Sequence, residues 1–378
     1  MARGCAWCAM LVAAAVQAEE WQRPPRFARP ELTTDEGGLW AMMDRSETQL
    51  RRSPFLMRDA GLHKFVSDIA CRLGGEHCSD IRVYVVRNPL FNANMAPNGM
   101  MQVWTGVLLR MENEAQIAAV LSHEIAHYLE RHALERLRDT KSASAFGQFL
   151  SIFGAVGTLG QLAVLAGMFS YSREQELAAD RIGVSLMSHA GYDAREAISV
   201  WRNLLAESKA KSGADAESAV PIFATHPDVE ERLRVLRAIT GESSNGTIGS
   251  EAWYTIANVF YSLWVEDEIA RGQHDESIAL FSRMIGNAPG RAALLTARGE
   301  VYRLRARNED FDLAMADFQA ASAIADAPAE TYRGLGLIQR RRGQPGEAVQ
   351  NFRRYLEMAP EAADAPMVKS YVEALRHE

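Results

Sequence analysis

The chain is 378 residues long, 48% of them hydrophobic, and sets 41 Lys and Arg against 48 Asp and Glu for a formal net charge of -7. That length and apolar fraction suffice for two or three globular domains with sizeable cores. The mild acidic balance, with both signs interspersed and no long basic run, argues against nucleic acid as a partner.

Residues 1–18 begin with Arg3, continue through an apolar run from Cys5 to Val16 and end Val16-Gln17-Ala18 before two glutamates. This is the pattern of a signal peptide cleaved after Ala18, with an uncleaved anchor as the alternative. Cleavage leaves Cys71 and Cys78 as the remaining cysteines. They bracket a Gly-Gly turn at the end of an expected helix from Asp59 to Leu73. An even count in an exported chain favours a disulfide, worth about 2 to 3 kcal/mol for so short a loop. A metal pair is the poorer alternative, because only His77 stands nearby.

Gln22 to Pro30, with three prolines, reads as an extended linker, and Glu36 to Arg52 as a helix. The β-branched stretch Asp80 to Arg87 and the run Met100 to Trp104 read as strands. Between them Phe91 to Ala96 fits an edge strand or a loop.

Glu112 to Arg138 lacks Pro and Gly, and Ile117, Val120, Leu121, Ile125 and Leu129 recur at helical spacing on one side. On that helix His123 and His127, four apart, share a face and can present two imidazoles to one zinc ion. Glu124, one step around, stands where its carboxylate can take a proton from a water on the metal. Two core histidines and a carboxylate beside an apolar stripe would otherwise lack partners, at a cost. Ser172 to Gly183 reads as a second helix with Glu176 and Asp180 on one face and the small Ala179 and Gly183 beside them. Glu176 then supplies a third ligand, and Asp180 accepts the free N–H of a ligand imidazole.

Between these helices, residues 145–171 contain no charge and are long enough to span a membrane. A span there would tend to separate His127 from Glu176 across the bilayer, and the charged residues after His127 could not run back through lipid. The segment is therefore expected to be an apolar lid or hairpin near the cleft, with a membrane-surface contact as the alternative.

Asp193 to Lys209 reads as a helix, Ser212 to Val220 as a polar loop, and Asp228 to Ile239 as another helix after Thr225-His226-Pro227. Gly241 to Ser250 has linker composition, which places a domain boundary there. The last third repeats: Ser277, Phe281 and Pro289 return as Ala348, Phe352 and Pro360, with a looser unit at Ala314, Phe318 and Pro328 and an insertion near Asn308 to Asp312. The spacing matches tetratricopeptide repeats, with Gly336 as the small residue of a first helix. Stacked helix pairs bind protein on a concave surface, whereas a plain helical cap would only stabilise its neighbour. The expected division is a signal at 1–18, a peptidase domain at 19–245 and a repeat domain at 251–378. Deleting the last is expected to spare metal content.

The two motifs in this order resemble the zinc metallopeptidases grouped with the CAAX prenyl protease and HtpX. Asn92-Ala93, Pro97-Asn98-Gly99, Val103-Trp104-Thr105-Gly106 and Glu112-Asn113-Glu114 upstream, and Thr225-His226-Pro227 with Arg232 downstream, extend the likeness over residues 31–239. That pattern usually has two glycines after the proline, where this chain has Asn98-Gly99. With its repeats, the chain is similar to the periplasmic protease/chaperones of the group. The resemblance implies an α+β, predominantly α chain: a zincin-like domain with a small sheet, followed by an α-solenoid of tetratricopeptide repeats. It implies one zinc per chain on His123, His127 and Glu176, with Glu124 as general base and His226 or Arg232 stabilising the oxyanion. It also implies a substrate strand pairing with Asn92, Ala93 and Met95, misassembled envelope proteins as substrates, and the outer-membrane assembly machinery as partner. The competing class is a chaperone with occasional proteolysis. His226 carries a further expectation: reaching the metal, it would hold the position the water needs and keep the enzyme off.

Overall fold

A computed structural model describes residues 21–139, 171–212, 226, 228–241, 246–287 and 291–376. The expectations for residues 1–18, for the apolar segment up to residue 170, for the loop at 213–220 and for Thr225 and Pro227 lie outside the described residues. Among those described, no helix is long and apolar enough to cross a membrane.

Three strands, β1 (Arg82–Val86), β2 (Ala93–Met95) and β3 (Met100–Trp104), form a sheet of order β1-β3-β2. β3 runs parallel to β1, pairing Arg82 with Met100, and antiparallel to β2, pairing Asn94 with Gln102. Successive side chains on a strand point to opposite faces, and here both faces are covered. Val83, Val85, Met95, Met101 and Val103 join the main core. Tyr84, Val86, Met100 and Trp104 pack with Leu39, Met42, Met43 and Leu50 of helix α1 (Asp35–Arg52). The segment Phe91 to Ala96 is thus an edge strand at its centre.

Glu47 of α1 ties that sheet together. Its carboxylate accepts from Arg82 at 2.7 and 2.6 Å, from the Tyr84 hydroxyl at 2.7 Å and from Arg51 at 2.7 Å. Asn98 donates to Glu47 at 3.2 Å and to Asp44 at 2.9 Å, while its own carbonyl oxygen accepts from the Met100 amide at 3.2 Å. Asn98, where that pattern has a glycine, therefore supplies a side chain that fixes the β2–β3 turn to α1. Gly99 keeps its glycine, with φ 87° and an added Cβ 2.1 Å from the Asp80 carbonyl. Burial opposes ionisation of Glu47, but the bonds from Arg82 and Tyr84 outweigh it and hold its pKa near 2, below the ordinary 4.5. A depressed carboxylate stabilises the fold above its unfolded pKa, and that contribution is lost as pH falls from about 4.5 towards 2. We expect Glu47→Gln to cost about 2 to 3 kcal/mol at pH 7 and to flatten the loss of stability below pH 5. Urea unfolding across that range checks both, and an unchanged acid limb would remove Glu47 from the account.

Helix α2 (Ala60–Gly74) starts at Asp59, which accepts from the Leu62 amide at 2.8 Å. Its end is joined across a 3-10 turn by the Cys71–Cys78 disulfide, as expected. Helix α3 (Thr105–Arg110) follows β3. The Pro- and Gly-free stretch expected to form one helix is instead two. Helix α4 (Glu114–Leu129) stops before Arg131, which adopts φ 60°, and α5 (His132–Asp139) sets off in a new direction. Nor is α4 a one-sided stripe: all its residues but Val120 are buried, because it threads the centre of the domain. Helices α6 (Arg173–His189) and α7 (Glu196–Ser212) pack on it, and α8 (Val229–Thr240) packs on those two.

Of the stretch with linker composition, residues 241 and 246–250 are described, and Thr247 and Ile248 are bonded to the domain. The Asp193 amide donates to the Thr247 carbonyl at 3.1 Å, the Thr247 amide to Gly191 at 2.8 Å and the Ala115 amide to Ile248 at 3.0 Å. Beyond it, α9 (Ser250–Ala257), α10 (Tyr261–Ala270) and α11 (His274–Asn287) place Trp253, Trp264 and Phe281 in the same apolar cluster as α4. Trp253 also donates to the Met111 carbonyl at 2.8 Å. The later helices α12 (Ala292–Arg305), α13 (Asp310–Ser322), α14 (Ala329–Arg341), α15 (Pro345–Met358) and α16 (Ala365–Ala374) each pack on the next. The repeated aromatics fill the space left by small residues: a Cβ on Gly334 would stand 2.4 Å from Phe318, and one on Gly336 2.6 Å from Phe352.

Candidate metal centre

Asn113 starts α4 by accepting from the Gln116 amide at 2.8 Å. Two turns later His123 and His127 project from one face, their Nε2 atoms 3.1 Å apart. Helix α6 starts at Ser172, whose hydroxyl and backbone exchange bonds with Gln175 in a capping box. Its glycine permits a close approach: a Cβ on Gly183 would lie 3.2 Å from the Ser122 hydroxyl and 3.4 Å from the His123 amide. Glu176 thereby reaches both histidines, with Oε2 3.3 Å from His123 Nε2 and Oε1 3.5 Å from His127 Nε2. His226 completes the group, its Nδ1 2.9 Å from Glu176 Oε1 and 3.4 Å from His123 Nε2.

One atom from each of His123, His127, Glu176 and His226 lies within 4.8 Å of the others, and all four residues are buried. Tetrahedral ligands at zinc distances stand about 3.3 Å apart, close to the 3.1, 3.3 and 3.5 Å between the nearest atoms of His123, His127 and Glu176. Glu176 Oε2 is buried and makes no hydrogen bond among the described residues. Arg232 Nη1 lies 2.8 Å from it, close in space but not aligned as a donor. Three imidazoles and an orphaned carboxylate oxygen are a donor set that fits zinc, and no other such group occurs among the described residues.

Behind the ligands, Asp180 Oδ1 lies 3.0 Å from His123 Nδ1. Arg232 donates to the same carboxylate at 2.8 and 2.7 Å, and its guanidinium lies 3.9 Å from the centre of the Trp201 ring. Arg232 is fully buried, and its guanidinium lies 2.8 Å from Glu176 and 2.7 Å from Asp180.

These contacts set the charges of the metal-free protein. Burial and Arg232 oppose protonation of His123, yet the bonds to Asp180 and Glu176 prevail and raise its pKa to about 9. Burial pushes His127 well below the usual imidazole value. Burial also resists ionisation of Glu176, but His226 and Arg232 hold it well below the carboxylate range. Burial raises Glu124, whose Oε1 lies 3.8 Å from His226 Nε2.

Two residues about the site escape sequence reasoning. His132 Nδ1 lies 2.8 Å from His127 Nδ1, the place of a tautomer-fixing partner, and the Tyr171 ring stacks on His127 at 3.8 Å and 15°. His132 becomes a neighbour only because Arg131 turns the chain, and no Gly or Pro marks that turn. Of the three candidate strand residues, Ala93 and Met95 lie in β2, whereas the Asn92 carbonyl is already bonded to the Trp104 amide at 3.0 Å.

Comparison with known proteins follows the same outline. Residues 57–240 match the model of Peptidase family M48. Over 165 residues the chain is 33% identical to "Mitochondrial metalloendopeptidase OMA1" of Schizosaccharomyces pombe, covering 41% of this chain and 46% of that protein. Over 226 residues it is 27% identical to "Beta-barrel assembly-enhancing protease" of Escherichia coli K12, covering 54% and 45%. A "Putative beta-barrel assembly-enhancing protease" of Vibrio cholerae is 25% identical over 218 residues, covering 53% and 43%. The chain spans a little under half the length of these relatives.

Proposed function

We propose, from the match of residues 57–240 to the model of Peptidase family M48, that this chain is an exported zinc-dependent endopeptidase that cuts misassembled outer-membrane proteins. The observation that carries the reading is the convergence of His123, His127 and Glu176 on one point with Glu124 beside it. Bound there, zinc would supply Lewis acidity towards the scissile carbonyl and make a water easier to deprotonate. His123 and His127 would hold the ion, with Asp180 and His132 fixing their orientation. Glu124 takes the proton from the attacking water and returns it to the leaving amine; burial, which raises its pKa, suits that exchange. The relatives' printed names favour β-barrel assembly as the setting. Helices α12 to α16 would then act as tetratricopeptide repeats that bind the assembly machinery.

His226 is read as a latch. Its Nδ1 stands 2.9 Å from Glu176 and 3.4 Å from His123, in the fourth position of a tetrahedral shell. His226→Ala is therefore expected to raise proteolysis or self-cleavage several-fold while zinc stays bound. Cutting of an unfolded barrel protein, measured with zinc content, decides it. A fall in turnover of roughly ten- to a thousandfold with zinc retained would make His226 an oxyanion stabiliser and defeat the latch.

A further inference from the structure

Residues 21–30 form neither helix nor strand, yet they lie bound along the domain. The Pro24 carbonyl is 2.9 Å from His77 Nε2, Arg23 donates to the Gly74 carbonyl, and Arg26 donates twice to Asp80, at 2.8 and 2.5 Å. Phe27 makes T-shaped contacts with His77 at 5.3 Å and with Tyr128 at 5.2 Å. Trp21 donates to Glu130 at 2.8 Å, and the Arg131 guanidinium lies over the Phe27 ring at 5.2 Å. This strap therefore grips Tyr128, Glu130 and Arg131, where the helix that carries His123 and His127 comes to its end.

Arg131 needs such a grip. Its φ of 60° is left-handed, a conformation that is costly for a residue with a Cβ and that glycine adopts freely. Two contacts hold it there, an ion pair with Glu36 of α1 and the ring of Phe27. What the conformation decides is the next residue. The Arg131 carbonyl accepts from the Leu134 and Glu135 amides at 2.9 and 3.1 Å, which starts α5 in its new direction and brings His132 Nδ1 to 2.8 Å from His127 Nδ1. His127 Nε2 meanwhile faces Glu176 and His123. An imidazole binds a metal through an unprotonated nitrogen, so a ligand presenting Nε2 carries its proton on Nδ1, and His132 is the acceptor that keeps it there.

We propose that Phe27 and Arg131 are positioning residues for the metal centre: the strap holds Arg131 left-handed, the left-handed turn places His132, and His132 sets the tautomer and ring orientation of His127. The proposal rests on the zinc-peptidase reading above and adds to it a control exerted from outside the ligand helices. Neither Phe27 nor Arg131 belongs to the four-residue ligand group, so each acts on the metal only through the turn.

The test measures zinc affinity of the full chain by competition with a chromogenic chelator, at neutral pH and well below each variant's unfolding midpoint. Phe27→Ala and Arg131→Ala are each expected to weaken zinc about tenfold, and His132→Phe about 10- to 100-fold. Two combinations separate positioning from a plain loss of stability. Arg131→Gly reaches the turn unaided, so it should bind zinc within about twofold of the parent and, added to Phe27→Ala, restore the affinity that variant lost. Arg131→Ala added to His132→Phe should weaken zinc no further, because its route to the metal is already cut. Cobalt in place of zinc gives a second signature: absorption bands altered by Phe27→Ala and returned by Arg131→Gly. Zinc affinity that follows the unfolding midpoint without rescue by glycine, or losses that add in the His132→Phe background, would overturn the positioning role. So would unshifted affinity in Phe27→Ala and Arg131→Ala while the parent binds zinc, an outcome that leaves the peptidase reading standing. A parent chain that binds no zinc overturns that reading, and this inference with it.

Discussion

Glu124→Gln is expected to lower proteolysis by about 10²- to 10⁴-fold while leaving zinc content unchanged. The substitution keeps shape and removes only the basic oxygen, and Glu124 lies outside the four-residue ligand group. Its stability should not fall: a carboxyl whose pKa burial has raised costs the fold something when ionised at neutral pH, and the amide relieves that cost. The cleanest background is His226→Ala, where the fourth position is open. Metal analysis, thermal unfolding and cleavage of an unfolded barrel protein then give three separate answers. Residual activity above a tenth of the parent's would remove Glu124 from the mechanism. Complementation by the same variant separates the two functional classes, since rescue of an envelope defect would favour a chaperone and failure a peptidase.

The metal centre was unusually legible because its chemistry imposes spacing. His123 and His127 must be four apart, and Glu176 and Asp180 must share a helix face, so a linear pattern carries three-dimensional information. The 3.0 Å approach of Asp180 to His123 follows from the same spacing. Arg232 was harder: its place after the His226 motif did not reveal that it would lie fully buried, forked onto Asp180 and stacked against Trp201. His132 and Tyr171 were hidden more completely. One depends on a left-handed Arg131, a conformation that sequence rarely advertises outside Gly and Asn. The other is an aromatic preceding a cap, which reads as ordinary core until the ring is seen on His127.

The sheet was legible where β-branched runs made it so, at β1 and β3, and left open at Phe91 to Ala96, where a three-residue strand has little periodicity to show. The α4 stripe illustrates a different limit. Its apolar positions at helical spacing suggested one buried side, but the other side carries Ala115, Ala118, Ser122 and Ala126, small residues that other helices cover. Small size there signals close approach rather than exposure. The glycines that suggested a linker at Gly241 to Ser250 have a second use. Gly246 lies against the Tyr192 backbone and Gly249 against Glu114, so these glycines serve tight contact as much as freedom.

That docking changes what truncation should do. Linker composition led to the expectation that removing residues 251–378 spares the metal; the packing leads to the opposite result. The deletion takes away Trp253, Trp264 and Phe281, each buried in the cluster that holds α4. Losing even one buried aromatic costs about 3 to 5 kcal/mol, and three approach the roughly 5 to 15 kcal/mol that keeps a typical protein folded. It also strips Arg110 of Glu268, one of its two buried carboxylate partners, and Glu207 of Arg283. Glu207 sits on α7, the helix that also carries Trp201 behind His123, so the damage reaches the metal centre through one rigid element. We therefore expect the 251–378 deletion to be aggregated or zinc-poor. A deletion of residues 307–378 should differ. It keeps α9 to α12, and with them the whole apolar cluster through Val301, and should remain folded with zinc bound while losing any recruitment through the later helices. Metal content and unfolding midpoints of the two truncations, measured side by side, check the order. A folded, zinc-replete 251–378 deletion would show that the peptidase core is complete before Ser250 and that α9 to α11 merely lean on it.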